Sequence, residues 1–306
     1  MSPRTLLRLA IALVLLLAIW GAVALGSRGA GDREQRFRLP RIGIKEVDTV
    51  TFAGAHDTVV LARTGATAWQ VNGHRADGRQ VEELLNSLGD TAASGDLVAE
   101  NPASYAQVGM DSASGRRVRV VAHGKTVADL VVGRPGEMYG TGYLRPAREH
   151  SVYLARSALP RLASRPVDEW RDQRIGGVAK DSVSKVEVER GAKRYTLAHQ
   201  AGRWILAPGG STDSMAVANF LNDLGEVRAT GFATPAQAES LKFAPPKRRL
   251  SVLGPDGKPR LQLAFDSTNG GLWVRADTGS TVWRLDPSSS DRITPADTTL
   301  KARHKA

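Results

Sequence analysis

Few residues in this chain have types and spacings that could do chemistry. Gly124-Lys125-Thr126 has the ending of a phosphate-binding loop, where backbone amides cradle phosphates and the lysine reaches them. That motif needs a glycine five residues before Gly124, where Arg119 stands, and a helix after it. Residues 127–132 instead alternate as a strand does, so a hairpin turn is expected. Ser182-x-x-Lys185 matches a nucleophile–base pair of penicillin-recognising enzymes. Those enzymes need both residues on one helical face. An alternating strand sends positions three apart to opposite faces, and no Ser-Asp-Asn or Lys-Thr-Gly accompanies the pair.

Metal and acid–base chemistry find equally little support. His56, His74, His123, His150, His199 and His304 form no H-x-H or H-E-x-x-H spacing, so loop exposure is expected of them. Asp168, Glu169 and Asp172 could do acid–base work. Arg171 and Arg174 are interleaved with them, and at helical spacing this makes a salt-bridged, solvated face. The chain has no cysteine, which excludes disulfides, thiol nucleophiles and cysteine-held zinc or iron–sulfur clusters. No cofactor, metal or catalytic residue is therefore expected, and the chain reads as a non-enzyme. Trp69, Tyr143, Tyr153, Trp204, Trp273 and Trp283 recur along both halves and read mainly as core anchors. Tyr143 and Trp273 each follow a glycine-rich turn and are the candidates for surface binding.

The elements that would position these residues come in two similar sets. Segments 49–52, 58–63 and 68–71 alternate and are joined by glycine-containing turns, so they read as strands. Asp77 caps a helix with Val81, Leu84, Leu85 and Leu88 on one face and Gly89 as its stop. About 136 residues later Asp213 precedes Val217, Phe220, Leu221 and Leu224 at the same spacing, and Val50/Phe52 are answered by Val186/Val188. Trp69 and Trp204 correspond one residue out of step, as a one-residue loop difference would produce. Further strands are expected at 118–122, 127–132, 143–144 and 151–154, and a helix from Pro166 through Trp170 to about Ile175. The expected fold class is α+β: an N-terminal membrane helix, then two tandem repeats of an antiparallel sheet packed by helices. The expected boundaries are a signal anchor at 1–26, a linker at 27–41, repeat units at 42–178 and 179–288, and a polar, fraying tail at 289–306.

Across 306 residues, 42 Lys+Arg against 31 Asp+Glu leave a net charge of +11, with 42% hydrophobic residues. That is globular composition, and it excludes wholesale disorder. No run of five basic residues occurs, so no nucleic-acid partner is expected. Arg4 and Arg8 precede an uncharged apolar run, 9–26, long enough to span a bilayer. An uncleaved anchor is the expectation, with cleavage after Ala22-Val23-Ala24 as the alternative. The implied placement is single-pass in a bacterial inner membrane, with the bulk of the chain periplasmic.

A strand ending in Trp69 is followed by the Val81-x-x-Leu84-Leu85-x-x-Leu88 helix. Then come Tyr105-x-x-Val108-Gly109-Met110-Asp111, Val131-Val132-Gly133, Tyr143-Leu144, Val152-Tyr153 and Trp170-Arg171-Asp172. In this order the chain resembles the bacterial domain of unknown function 4340, here as two tandem copies of the unit. Members of that family often accompany genes of ABC-type export or gliding-motility systems. The resemblance implies no catalytic residue. With the anchor, the tether, the duplication and the absent catalytic constellation, the expectation is a membrane-anchored exported interaction or accessory protein whose partners are other membrane or envelope proteins, engaged at a surface that includes a groove between the two similar halves. A module binding envelope carbohydrate or peptide is the alternative.

Overall fold

The computed structural model describes residues 37–302 except 91–93, 268–270 and 278. The chain divides into two compact units, with the boundary between Trp170 and Arg171. The first contains β1 (Phe37–Arg38), β2 (Val47–Ala53), β3 (Thr58–Arg63), β4 (Trp69–Val71), β5 (His74–Arg75) and α1 (Gly78–Gly89). There follow β6 (Ser94–Ala99), β7 (Arg116–Ala122), β8 (Lys125–Pro135), β9 (Thr141–Pro146), β10 (Val152–Arg156), α2 (Leu159–Ala163) and α3 (Val167–Trp170). Its sheet has the order β1-β6-β10-β9-β8-β7-β2-β3-β4-β5.

The second unit contains β11 (Arg174–Gly176), β12 (Lys185–Arg190), β13 (Lys193–Gln200), β14 (Arg203–Ala207), β15 (Gly210–Ser211), α4 (Ser214–Asp223) and β16 (Val227–Arg228). It continues with β17 (Gly231–Phe232), α5 (Pro235–Ser240), β18 (Arg248–Leu253), β19 (Pro259–Asp266), β20 (Leu272–Ala276), β21 (Val282–Leu285), α6 (Pro287–Ile293) and α7 (Asp297–Leu300). Its main sheet runs β15-β14-β13-β12-β18-β19-β20-β21-β17, and β11 pairs with β16 in a small third sheet. From its other edge, the main sheet repeats the succession of hairpins and crossover found in the first unit, without a counterpart of β1.

Both sheets grow from alternation. On β2, Val50 and Phe52 face inward with Leu61 of β3. On β12, Val186 and Val188 do so with Leu197 of β13. The helices cover these inner faces. Asp77 caps α1 by accepting the Arg79 amide at 2.9 Å, and Val81, Leu84 and Leu88 are buried. Asp213 caps α4 from the Met215 and Ala216 amides at 2.8 and 3.0 Å, and Val217, Phe220 and Leu221 are buried. Trp170 completes the first core, stacked on Phe52 at 5.7 Å.

Four expectations are corrected. The described chain is mostly β, built of three antiparallel sheets, because only α1 and α4 sustain a helical apolar period for more than two turns. The α+β class overstated the helices. No helix among the described residues is long and apolar enough to cross a membrane. The longest has 12 residues, against about 20 for a bilayer. The N-terminal membrane helix and the single-pass inner-membrane, periplasmic placement are corrected accordingly, and residues 1–26, which carried them, lie outside the described residues.

The helix expected from Pro166 to Ile175 stops at Trp170. There the Trp170 carbonyl accepts the Asp77 amide at 2.8 Å, and the Asp172 carboxylate turns the chain by accepting the Arg174 amide at 2.9 Å. Finally, through residue 302 the stretch after 288 is no frayed tail. Asp286 caps α6, Ile293 and Leu300 enter the second core, and Tyr195 Oη donates to the Pro295 carbonyl at 2.8 Å.

Candidate functional site

The residues singled out for chemistry are individually engaged. His123 and Gly124, at φ 50° and 70°, form the hairpin turn between β7 and β8, and the Gly124 amide donates to Asp48 at 3.1 Å. Ser182 lies in a 3-10 turn before β12, and its hydroxyl donates to the Ala179 carbonyl at 2.9 Å. Lys185 Nζ lies 2.6 Å from Glu187. Asp168 and Glu169 are exposed on α3, as are His56, His74, His123, His150 and His199 in their places. His304 lies outside the described residues. Among the described residues, no group of three or more His, Asp or Glu is placed to hold a metal ion.

Of the two surface candidates, Trp273 is corrected, and Tyr143 keeps only part of its surface. Trp273 is only 7% exposed, packed with Phe243, Ala264 and Val282. A Cβ at Gly271 would come 2.7 Å from its indole nitrogen, so the glycine makes room for the ring rather than displaying it. Tyr143 is half-buried against Val108, Met110 and Val152, with the Arg134 guanidinium 5.8 Å above it. Both stand on the outer sheet face. In each unit the excursion between the sixth and seventh strand equivalents, 100–115 or 233–247, lies over that face and covers them.

An opening lies in the second unit instead, between the β13–β15 edge and α4. It has a volume of about 1070 Å³, with Trp204, Val217, Ala218 and Leu221 on its apolar side and Lys180, Arg203, Ser211 and Ser214 on its polar side. Two tight turns shape it. Ala201 and Gly202, at φ 48° and 77°, reverse the chain between β13 and β14, and Gly209 and Gly210, at φ 145° and 86°, begin the return to β15. The Thr212 hydroxyl pins the strand edge by donating to the Trp204 carbonyl at 2.8 Å.

The strand ladders show why this place is open. In the first unit Leu61 pairs with Val71 and Arg63 with Trp69. In the second, Leu197 pairs with Leu206 and His199 with Trp204. The two indoles therefore occupy the same ladder position. Trp69 is 5% exposed. The Arg63 guanidinium lies 4.7 Å over its ring and is fixed by bonds to the Val47 and Ile44 carbonyls at 2.8 and 3.1 Å. Ile44, heading the 3-10 turn before β2, packs at Gly89, where a Cβ would meet its Cγ2 at 2.8 Å. In the second unit His199 replaces Arg63 and lies beside Trp204 at 5.1 Å. Exposed Lys180 heads the corresponding turn, and Trp204 is only half-buried. Met215, 75% exposed on the first turn of α4, stands where α1 has Arg79. One architecture thus gives a sealed indole and an open one.

Sequence reasoning paired Trp69 with Trp204 but did not single out Lys180, Arg203 or Met215. The available signal was the set of exchanges Ile44/Lys180, Arg63/His199 and Arg79/Met215 at matched positions. The lining offers hydroxyls, one side-chain amide (Gln200), two cations and an indole.

The model of one protein family, a domain of unknown function (DUF4340), matches residues 69–246. That stretch begins in β4 and ends beyond α5, and so spans the boundary between the units. No curated protein and no solved structure matches the chain.

Proposed function

The chain belongs to the family defined by the domain of unknown function DUF4340, and from that premise we propose that it is a non-enzymatic interaction protein. It holds a segment of a partner protein in the cleft beside Trp204, as an accessory to an ABC-type export or gliding-type assembly. The observation that carries this reading is the contrast at one ladder position, with Trp69 covered by Arg63 and Trp204 left half-open above a cleft of about 1070 Å³. A duplicated unit in which one copy is sealed and the other opened has a scaffold half and a binding half. Met215, exposed on the first turn of α4 next to the lining residue Ser214, is a flexible apolar side chain of the kind common on adaptable protein-binding surfaces. Binding rather than turnover is favoured by the Ser182 hydroxyl turning to a backbone carbonyl and by Lys185 being held by Glu187.

The test is site-specific photocrosslinking in intact cells. A crosslinker at Ser211 should trap one defined partner, and Trp204→Ala should reduce the yield about ten-fold, the loss expected when an interfacial tryptophan is removed. Equal trapping from the exposed position Gln70 in the first unit, or trapping indifferent to Trp204→Ala, would overturn the proposal.

A further inference from the structure

We infer that the cleft of the second unit selects an acidic stretch of polypeptide that lays an apolar side chain against Trp204. This rests on the binding role proposed above and specifies the chemistry of the occupant.

Charge comes first. Lys180 and Arg203 are both exposed at the cleft, and neither makes an ion pair among the described residues. No aspartate or glutamate lines it. The nearest carboxylate on α4, Asp213, is occupied by the Met215 and Ala216 amides. Lys301, whose stem lies against Gly209, is already paired with Asp297. Two unneutralised cations on one rim repel a basic partner and favour an acidic one, by an amount that salt screens.

The apolar side is set by Trp204 with Val217 and Leu221 behind it. These take a hydrocarbon or aromatic side chain, while the hydroxyls of Ser211 and Ser214 and the Gln200 amide suit a backbone. A sugar fits this lining less well. Paired ring hydroxyls are held best by a carboxylate or by several side-chain amides, and beside the Ser211, Thr212 and Ser214 hydroxyls the cleft offers one amide and no carboxylate. The volume, about 1070 Å³, lies just above the range for small-molecule sites, roughly 300–1,000 Å³, which suits a few residues of chain.

The experiment is fluorescence anisotropy on the full chain with three labelled peptides of equal length and equal leucine content, their remaining positions acidic, neutral or basic. The acidic peptide should bind about ten-fold tighter than the neutral one. Its affinity should fall several-fold as salt rises from about 50 to about 300 mM. The double variant Lys180→Glu, Arg203→Glu should reverse the preference toward the basic peptide, whereas Arg119→Glu in the first unit should not. Both positions in the double variant are exposed, and circular dichroism checks that the fold is kept.

Equal binding of acidic and neutral peptides, lost in Trp204→Ala, would overturn this inference while leaving the binding role in place. Failure of all three peptides, or binding indifferent to Trp204→Ala, would overturn both. Displacement of the acidic peptide by a neutral oligosaccharide would overturn the polypeptide assignment.

Discussion

Arg63 and His199 occupy one ladder position and treat the neighbouring indole in opposite ways. Arg63 can span from the Trp69 ring to three backbone carbonyls, those of Ile44, Val47 and Ala66, because its planar fork carries several donors. His199 lies with its ring 5.1 Å from the Trp204 ring. Removing a charged donor from such carbonyls costs about 1.5–3 kcal/mol, so Arg63→Ala should lower the urea midpoint of the chain and expose Trp69 to acrylamide quenching. An unchanged midpoint would show that the guanidinium rests there without holding the turn.

A second prediction concerns Asp129. The Arg117 guanidinium bonds it through both oxygens, at 2.7 and 2.6 Å, and with Arg119 and Arg148 nearby holds its carboxyl below the usual aspartate range. A carboxylate with a depressed folded pKa contributes stability above its unfolded value, about 3.9, and loses it as the pH falls through the folded value. Asp129→Asn should therefore be destabilising at neutral pH, with the difference from the parent chain shrinking below about pH 4. Urea melts at several pH values measure it, and a gap constant down to pH 2 would contradict it.

At the scale of elements, α1 and α4 are the parts most fully dictated by local residues. Each opens on an aspartate cap and buries an apolar face against its own sheet. Leu84 and Phe220 hold matched places on them, 0% and 3% exposed. Truncating either to alanine should cost about 2–5 kcal/mol, and by similar amounts in the two units, as calorimetry of each variant would show. Asp213→Ala removes two capping bonds and should cost about 1 kcal/mol, well below the core truncations. If it cost as much as Phe220→Ala, α4 would be held by its cap more than by its buried face.

At the scale of the whole chain, each unit carries its own core. One runs from Phe37 to Trp170 and the other from Ile175 to Leu300. Cores that share no residue can be weakened separately. Phe220→Ala should speed hydrogen exchange across β12, β13 and β18 and leave β2, β3 and β7 unchanged, while Leu84→Ala should do the reverse. Mass spectrometry of exchanged peptides reads this directly, and acceleration in both sets from one variant would show that the cores are coupled.

What the sequence by itself determined is local. Asp77 and Asp213 with their spaced apolar residues specify helices, His123-Gly124 between alternating segments specifies a hairpin turn, and the ordered motifs from Trp69 onward carry the family. These follow from neighbours a few positions apart, because side-chain periodicity and φ preferences act at that range. Only the tertiary structure decided the rest. Trp273 and Tyr143 look presentable beside their glycines, yet distant segments fold over that sheet face, burying Trp273 and half-burying Tyr143. Ile293 and Leu300 look isolated in a polar tail, yet the second sheet has an inner face for them to cover. The cleft beside Trp204 is lined by Lys180, Arg203 and Val217, which become neighbours only when β13–β15 turn back toward α4. Burial and site formation are properties of what lies across a space, and no residue's own neighbours in the chain contain that information.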